Sequence, residues 1–397
     1  MPSIRPFVGL LYEPSVAGSF ERVTAPPYDA ILPGDRERYH AASPYNVVRL
    51  ILGPDRPGDT PTENRYTRAA GDLVRWRREG VLVPTAGPAL FPYEFRFVHA
   101  GAERTLRGVI AEVRLEPLGG SIVPHERTLP GPIEDRMAVL RAVRANLSPV
   151  YAVYRGPAHG LSSLLDAVAE TAPARETVDE AGTSHRLWVV RDRVEDGVEA
   201  LREESLMIAD GHHRYAVALA HQQQMAATEG PGPWDWMMML LVDASIEQPP
   251  VLPIHRVLMG AAQPEDPPGR PPDRPVRDLA EVLAALRDED LMYGVVRRTE
   301  DLIVHAVGSL QGTPPTVRAL HEQVLFGTPP GRIRFVPDAA LAEEMVVSGL
   351  AGTAYLLPPT RVERIRDVLR MGGRLPEKST YFWPKPRTGM VIRPFDR

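Results

Sequence analysis

Apolar positions along this chain fall into two patterns. Short apolar or strand-like runs predict strands at 150–154, 185–190, 206–209 and 236–242, and β-type composition predicts an extended piece at 89–99. Apolar residues recurring every three or four positions predict helices at 62–79, 133–146, 215–224, 279–290, 317–326, 339–347 and 360–371. Residues 294–298 and 302–307 read as a hairpin, 45–52 as an extended piece and 390–392 as a last strand. Gly80 and the Gly372-Gly373 pair stand where helices commonly stop. In the 133–146 helix Met137, Leu140 and Val143 share one face, with Arg136, Arg141 and Arg144 elsewhere; Asp135-Arg136 reads as a cap and surface pair.

Strands alternating with helices predict an α+β (mixed α/β) fold. Pro26 and Pro27 make Ala25–Asp29 a rigid turn, and 121–128 reads as a loop. Six prolines between Gln263 and Val276 argue for a linker that packs no element of its own. These breaks divide the chain into an N-terminal α/β region (1–120), a core (121–260), the Pro-rich linker (261–278), an α+β lobe (279–350) and a C-terminal segment (351–397).

The 397 residues are 43% hydrophobic and 24% charged, as expected of a globular protein. No apolar run is long enough to cross a bilayer, and the N-terminus lacks the apolar stretch of a signal peptide. A cytoplasmic location without a membrane partner is expected. A net charge of −5 argues against a broad nucleic-acid surface. With no cysteine, thiolate nucleophiles, disulfides and cysteine-ligated zinc are excluded. Only two lysines occur, Lys378 and Lys385, against 44 arginines, and they lie seven positions apart. Coding bias explains the scarcity but not the clustering, so both are candidate site residues where a compact cation is needed.

Chemistry concentrates at Asp210, Gly211, His212, His213 and Arg214, between the 206–209 strand and the 215–224 helix. A sharp strand-to-helix turn aims free N–H groups and the positive helix end at one point, and the histidines and arginine add to it. The alternative is a turn with solvated polar residues. Asp210 can hold a divalent cation beside phosphate or merely cap the turn. Glu126, after Pro124-His125, is the best candidate acid or base, with a plain helix-approach carboxylate as the alternative. No phosphate loop of the Gly-x-x-x-x-Gly-Lys type, no Gly-x-Gly-x-x-Gly after a strand and no His-Glu-x-x-His occurs. Adjacent histidines cannot share one helix face, which argues against zinc.

In order, Pro124-His125-Glu126, Asp210–Arg214, then Lys378-Ser379-Thr380 with Pro384-Lys385 resemble the motifs of free-serine kinases built on the ParB/sulfiredoxin fold. Over essentially its whole length the chain also resembles an uncharacterised bacterial and archaeal family about 400 residues long. That family likewise carries segments like Arg5-Pro6-Phe7, Ala25–Asp29 and Pro44–Arg49. The resemblance implies a ParB/sulfiredoxin-like core elaborated by the N-terminal region and the inserted lobe. It implies Glu126 as catalytic base, with Asp210, Gly211, His212, His213 and Arg214 binding phosphate and Mg²⁺. It places Lys378, Ser379 and Thr380 at the same phosphate, joined by Lys385. His125, Arg127 and Thr128 would lie beside the substrate. A lysine precedes Ser-Thr here and no arginine or histidine follows at once, so ATP, ADP and pyrophosphate all stand as donors.

Phosphoryl transfer needs positioning and charge neutralisation, which this residue set supplies. The expected activity is therefore a small-molecule kinase converting free L-serine to O-phospho-L-serine. The alternative is a ParB-like regulatory module that binds CTP or ATP without kinase activity. A sulfiredoxin-like reductase would need the missing cysteine.

Overall fold

The computed structural model describes residues 2–32, 34–126, 131–156, 159–192, 201, 205–260, 273–299 and 302–396. The chain divides into two compact units, the first Met1–Pro124, Thr128–Gln248 and Pro384–Arg397, the second His125–Arg127 and Pro249–Trp383. Both mix helices with sheets, so the fold is mixed α/β.

The first unit is built on a nine-stranded sheet. Its strands run in the order Ile122–Pro124, Leu206–Asp210, Val150–Tyr154, Trp236–Asp243, Ala102–Arg114, Phe91–His99, Ser184–Leu187 and Arg175–Val178, with Ile4–Arg5 also on Ala102–Arg114. Two pairings are parallel, Leu206–Asp210 with Ile122–Pro124 and Trp236–Asp243 with Val150–Tyr154. Both central strands are apolar along their length because both faces are covered. Val150, Ala152, Leu206, Ile208, Met239 and Leu241 form one core there with Leu161, Tyr215 and Ala218 from helices. A second core gathers Tyr12, Val47, Leu73 and Trp76 around the helix Arg65–Arg78. Asn64 starts that helix by accepting the Tyr66 and Thr67 N–H groups, and Gly80 at φ 73° follows its end.

In the second unit a six-stranded antiparallel sheet runs Arg274–Val276, Ile303–Ser309, Met292–Arg298, Ala351–Leu356, His255–Met259, Ile333–Val336. The helices Leu279–Ala285 and Ala339–Val347 supply Val282, Ala342 and Val346 to its core. A separate antiparallel pair, Val251–Pro253 with Thr380–Phe382, sets Pro253 opposite Thr380.

Several local expectations are corrected. Residues 45–52 hold the short helix Val48–Ile51 rather than a strand, because the buried Asn46 side chain accepts the Val48 N–H while donating to the Arg22 and Thr24 carbonyls. A four-residue helix buried nearly all round shows no helical period. Ile122–Pro124, read as loop, is a strand on Leu206–Ile208. Within the Pro-rich stretch, Arg274–Val276 pairs at the sheet edge, where Pro275 is tolerated; residues 261–272 lie outside the described residues. The helix expected at 133–146 is Gly131–Val143: Arg144 turns left-handed at φ 52°, and Ala145–Asn146 becomes a strand on Arg393–Pro394. Arg136 is not a surface residue. It is buried, donates to the Ile51 carbonyl at 2.8 Å and stacks over the Tyr28 ring at 4.1 Å, while Asp135 accepts from Arg65 and Tyr66.

Candidate functional site

The strand Leu206–Asp210 hands over to the helix His212–Thr228 through Gly211 alone. Gly211 sits at φ 92°, and a Cβ there would meet the Arg214 guanidinium at 3.0 Å. The glycine is required twice, for its backbone angle and for the room it leaves. Tyr215, one turn into the helix, anchors it by donating to the Glu116 carbonyl at 2.8 Å and accepting the Glu116 N–H at 3.0 Å. His212 and His213 are the first helical residues; His212 is buried and His213 half-buried.

Both oxygens of Asp210 carry a cation. Arg214 Nη2 donates to Oδ2 at 2.5 Å, while its Nη1 donates to the Pro149 carbonyl. Lys385 Nζ lies 2.6 Å from Oδ1 and also reaches Asp29 Oδ2 at 3.4 Å. Side-chain exposure of Asp210, Arg214 and Lys385 is 10–12%, so these charges attract one another with little screening by water. Lys385 is brought there by backbone pairing: Ala25 and Thr388 bridge antiparallel, tying the Ala25–Asp29 turn to the segment after Lys385. Nearby, the Tyr28 hydroxyl is pushed up to about 12, chiefly by burial and secondly by the Asp29 charge.

The second unit assembles a different cluster around Glu126. Three donors converge on Glu126 Oε1: the Ser379 N–H at 2.9 Å, the Thr380 N–H at 2.8 Å and the Thr380 hydroxyl at 2.7 Å. Since Thr380 spends its one hydroxyl proton on Glu126, its oxygen accepts from His125, whose Nε2 is 2.6 Å away. His125 is fully buried with its ring edge-on to Phe382. The backbone is held as well, because Leu375 donates to the His125 carbonyl at 2.9 Å and pairs in parallel with Glu126. The turn between Leu375 and Thr380 closes through Lys378 at φ 51°, a left-handed conformation that a side chain adopts only at a cost. Ser379 secures it by donating its hydroxyl to the Pro376 carbonyl at 2.7 Å.

The candidate residues thus form two groups, Asp210, Arg214 and Lys385 in the first unit and His125, Glu126, Ser379 and Thr380 in the second. The two lysines belong to different units. Arg127 and Thr128 lie outside the described residues. Asp29 was missed by sequence reading although its rigid turn was recognised. A carboxylate after Pro-Pro-Tyr carries no local signal of a lysine 356 positions away.

The second unit also holds two neutral histidines, His255 buried and His321 half-buried. Burial first, and the charge of Arg256 second, holds His255 down at about 4 and His321 at about 3, against the ordinary 6.5. Between those values the unfolded chain takes up protons that the folded chain refuses, so stability rises with pH and is lost as pH falls from 6.5. His255 alone amounts to roughly 3 kcal/mol over its window. The urea midpoint is therefore expected to drop between about pH 7 and pH 5, above most carboxylate titrations. His321→Gln should flatten that dependence, and a midpoint constant over this range would contradict the assignment.

Among the described residues, no helix is long and apolar enough to cross a membrane, and no group of three or more histidines and carboxylates is arranged to hold a metal ion. The chain belongs to the family described as protein of unknown function (DUF1015), which it matches over residues 4–267. No curated protein matches it. Similar solved structures include a free serine kinase in complex with AMP, at 13% identity over 66% of this chain and 83% of that chain, with a TM-score of 0.36. A conserved hypothetical protein from Pyrococcus furiosus is similar at 12% identity over 67% and 89%, TM-score 0.36. SbnI with C-terminal truncation from Staphylococcus aureus is similar at 10% over 67% and 81%, TM-score 0.33.

Proposed function

We propose that this chain is a small-molecule phosphotransferase with a ParB/sulfiredoxin-like core, moving a phosphoryl group onto the hydroxyl of free L-serine to give O-phospho-L-serine. The observation that carries the reading is the convergence of Arg214 and Lys385 on Asp210 at the start of a helix. Two cations, a helix N-terminus and the tight turn at Gly211 suit a transferring phosphoryl group, whose equatorial oxygens need neutralising. His212 and His213 stand at the same helix start. Glu126 supplies the base, and Ser379 and Thr380 set its orientation. Lys378, in the same turn, contributes positive charge.

In the reaction the serine hydroxyl oxygen forms a bond to phosphorus as the bond to the donor's leaving phosphate oxygen breaks. The hydroxyl proton passes to the Glu126 carboxylate. Asp29 and Asp210 share the Lys385 ammonium and Asp210 also pairs with Arg214, so these carboxylates are already neutralised by side chains. Mg²⁺, a hard ion that takes oxygen ligands, would come with the donor's phosphates and add to the neutralisation of their charge.

The test incubates the protein with L-serine, Mg²⁺ and, separately, ATP, ADP and pyrophosphate, and follows phosphoserine by ³¹P NMR. Formation with one donor, or serine release in reverse, is expected. No transfer in either direction with any donor rejects the reading. Calorimetric binding of CTP by a protein inactive in that assay would point instead to a nucleotide-binding regulatory module.

A further inference from the structure

Arg256 is fully buried, yet it carries a guanidinium. Removing that charge from water is costly, so its partners should reveal why it is there. Nη1 donates to the Ile254 carbonyl at 2.5 Å and the Lys378 carbonyl at 2.9 Å, and Nη2 to the Glu377 carbonyl at 3.3 Å. Nε donates to His321 Nε2 at 3.0 Å, and the Phe335 ring lies 5.0 Å away. The neutrality of His321, imposed by burial, leaves its ring nitrogen able to accept.

Two of these carbonyls belong to the turn that holds Glu126. The Lys378–Ser379 peptide is gripped at both ends: its C=O accepts from Arg256, and its N–H donates to Glu126 Oε1 at 2.9 Å. A cation on the carbonyl end polarises the peptide and strengthens the hydrogen bond at the other end. It also fixes the plane of a turn whose Lys378 is left-handed, a conformation that persists only where its surroundings impose it.

We propose that Arg256 is a positioning residue for Glu126. Through the Glu377–Ser379 backbone it holds the two N–H donors in place, and its charge favours the ionised carboxylate. The proposal rests on the reading of Glu126 as base, but amide exchange and the Glu126 titration test it without that reading. Arg256→Met removes the cation at similar volume, and Arg256→Lys keeps charge without the planar fork.

Three readouts on the full-length protein separate positioning from bulk structure: amide exchange at Ser379 and Thr380, the Glu126 carboxyl titration by ¹³C NMR, and the acid limb of the transfer pH profile. Arg256→Met should speed both amides about tenfold or more. It should raise the Glu126 titration and the acid limb by about one unit. Arg256→Lys should restore much of the titration but not the protection. Wild-type exchange together with a wild-type Glu126 titration in folded Arg256→Met overturns the proposal. If that variant does not fold, Arg256→Lys decides: unchanged exchange overturns it, and lost protection with a lower kcat at constant KM supports it. Absence of transfer by the parent protein sinks the proposed reaction alone, since exchange and titration still judge Arg256.

Discussion

Glu126→Gln is expected to lower the rate of phosphoryl transfer by about 10²–10⁴, the usual worth of a general base. The substitution is nearly isosteric, and a glutamine Oε1 can still accept from Ser379, from the Thr380 N–H and from the Thr380 hydroxyl. The His125–Thr380 hydrogen bond is untouched by the change. Tm should therefore stay close to the parent value while kcat falls. What glutamine cannot do is accept a proton from the substrate hydroxyl at neutral pH. Retention of parental kcat would remove Glu126 from the chemistry; a fall in kcat matched by a large loss of Tm would assign it to structure instead.

Arg214→Lys should cost on the order of 10³-fold in kcat or more, the scale for an arginine that stabilises transferring phosphate. The charge survives, but one ammonium cannot serve Asp210 and the Pro149 carbonyl as the guanidinium fork does. The guanidinium also fills the space beside the Gly211 Cα, so a lysine there leaves the turn less well supported. The comparison with Lys385→Arg is informative. Lys385 is a compact point charge between Asp29 and Asp210, and a planar guanidinium cannot reproduce its single-atom contact to both carboxylates. Steady-state kinetics with saturating donor, alongside thermal unfolding, measures both. A variant at either position with parental kcat would dissociate that cation from phosphate.

Much of the scaffold was legible in the chain because its signals are local. The strand and helix flanking Gly211 were read from an apolar run followed by helical spacing, and they extend as Leu206–Asp210 and His212–Thr228. The helix Ala339–Val347 and the hairpin of Met292–Arg298 with Ile303–Ser309 followed from the same patterns. Where reading failed, a tertiary contact had overruled a local pattern. Asn46 turns an apolar run into a helical turn, and the partner strand Leu206–Asp210 makes a strand of Ile122–Pro124. Arg136 is drawn inward by the Ile51 carbonyl and the Tyr28 ring, although its place on the helix pattern suggested an outward one.

The site divides along the same line. Residue types and their spacing marked Glu126, the Asp210–Arg214 turn and the two lysines as candidates, because a glycine turn before a helix and an isolated lysine pair are visible without a fold. Which charges meet was settled by pairing across long separations. Asp29 shares Lys385 with Asp210 through 356 positions of intervening chain, and Thr380 reaches Glu126 across 254. Arg256, unremarkable among 44 arginines, becomes distinctive only once it is buried against the Glu377 and Lys378 carbonyls. A local pattern constrains backbone conformation within a few residues. The partner of a buried charge depends on strand register and on side-chain direction, and neither leaves a trace in the amino acids nearby.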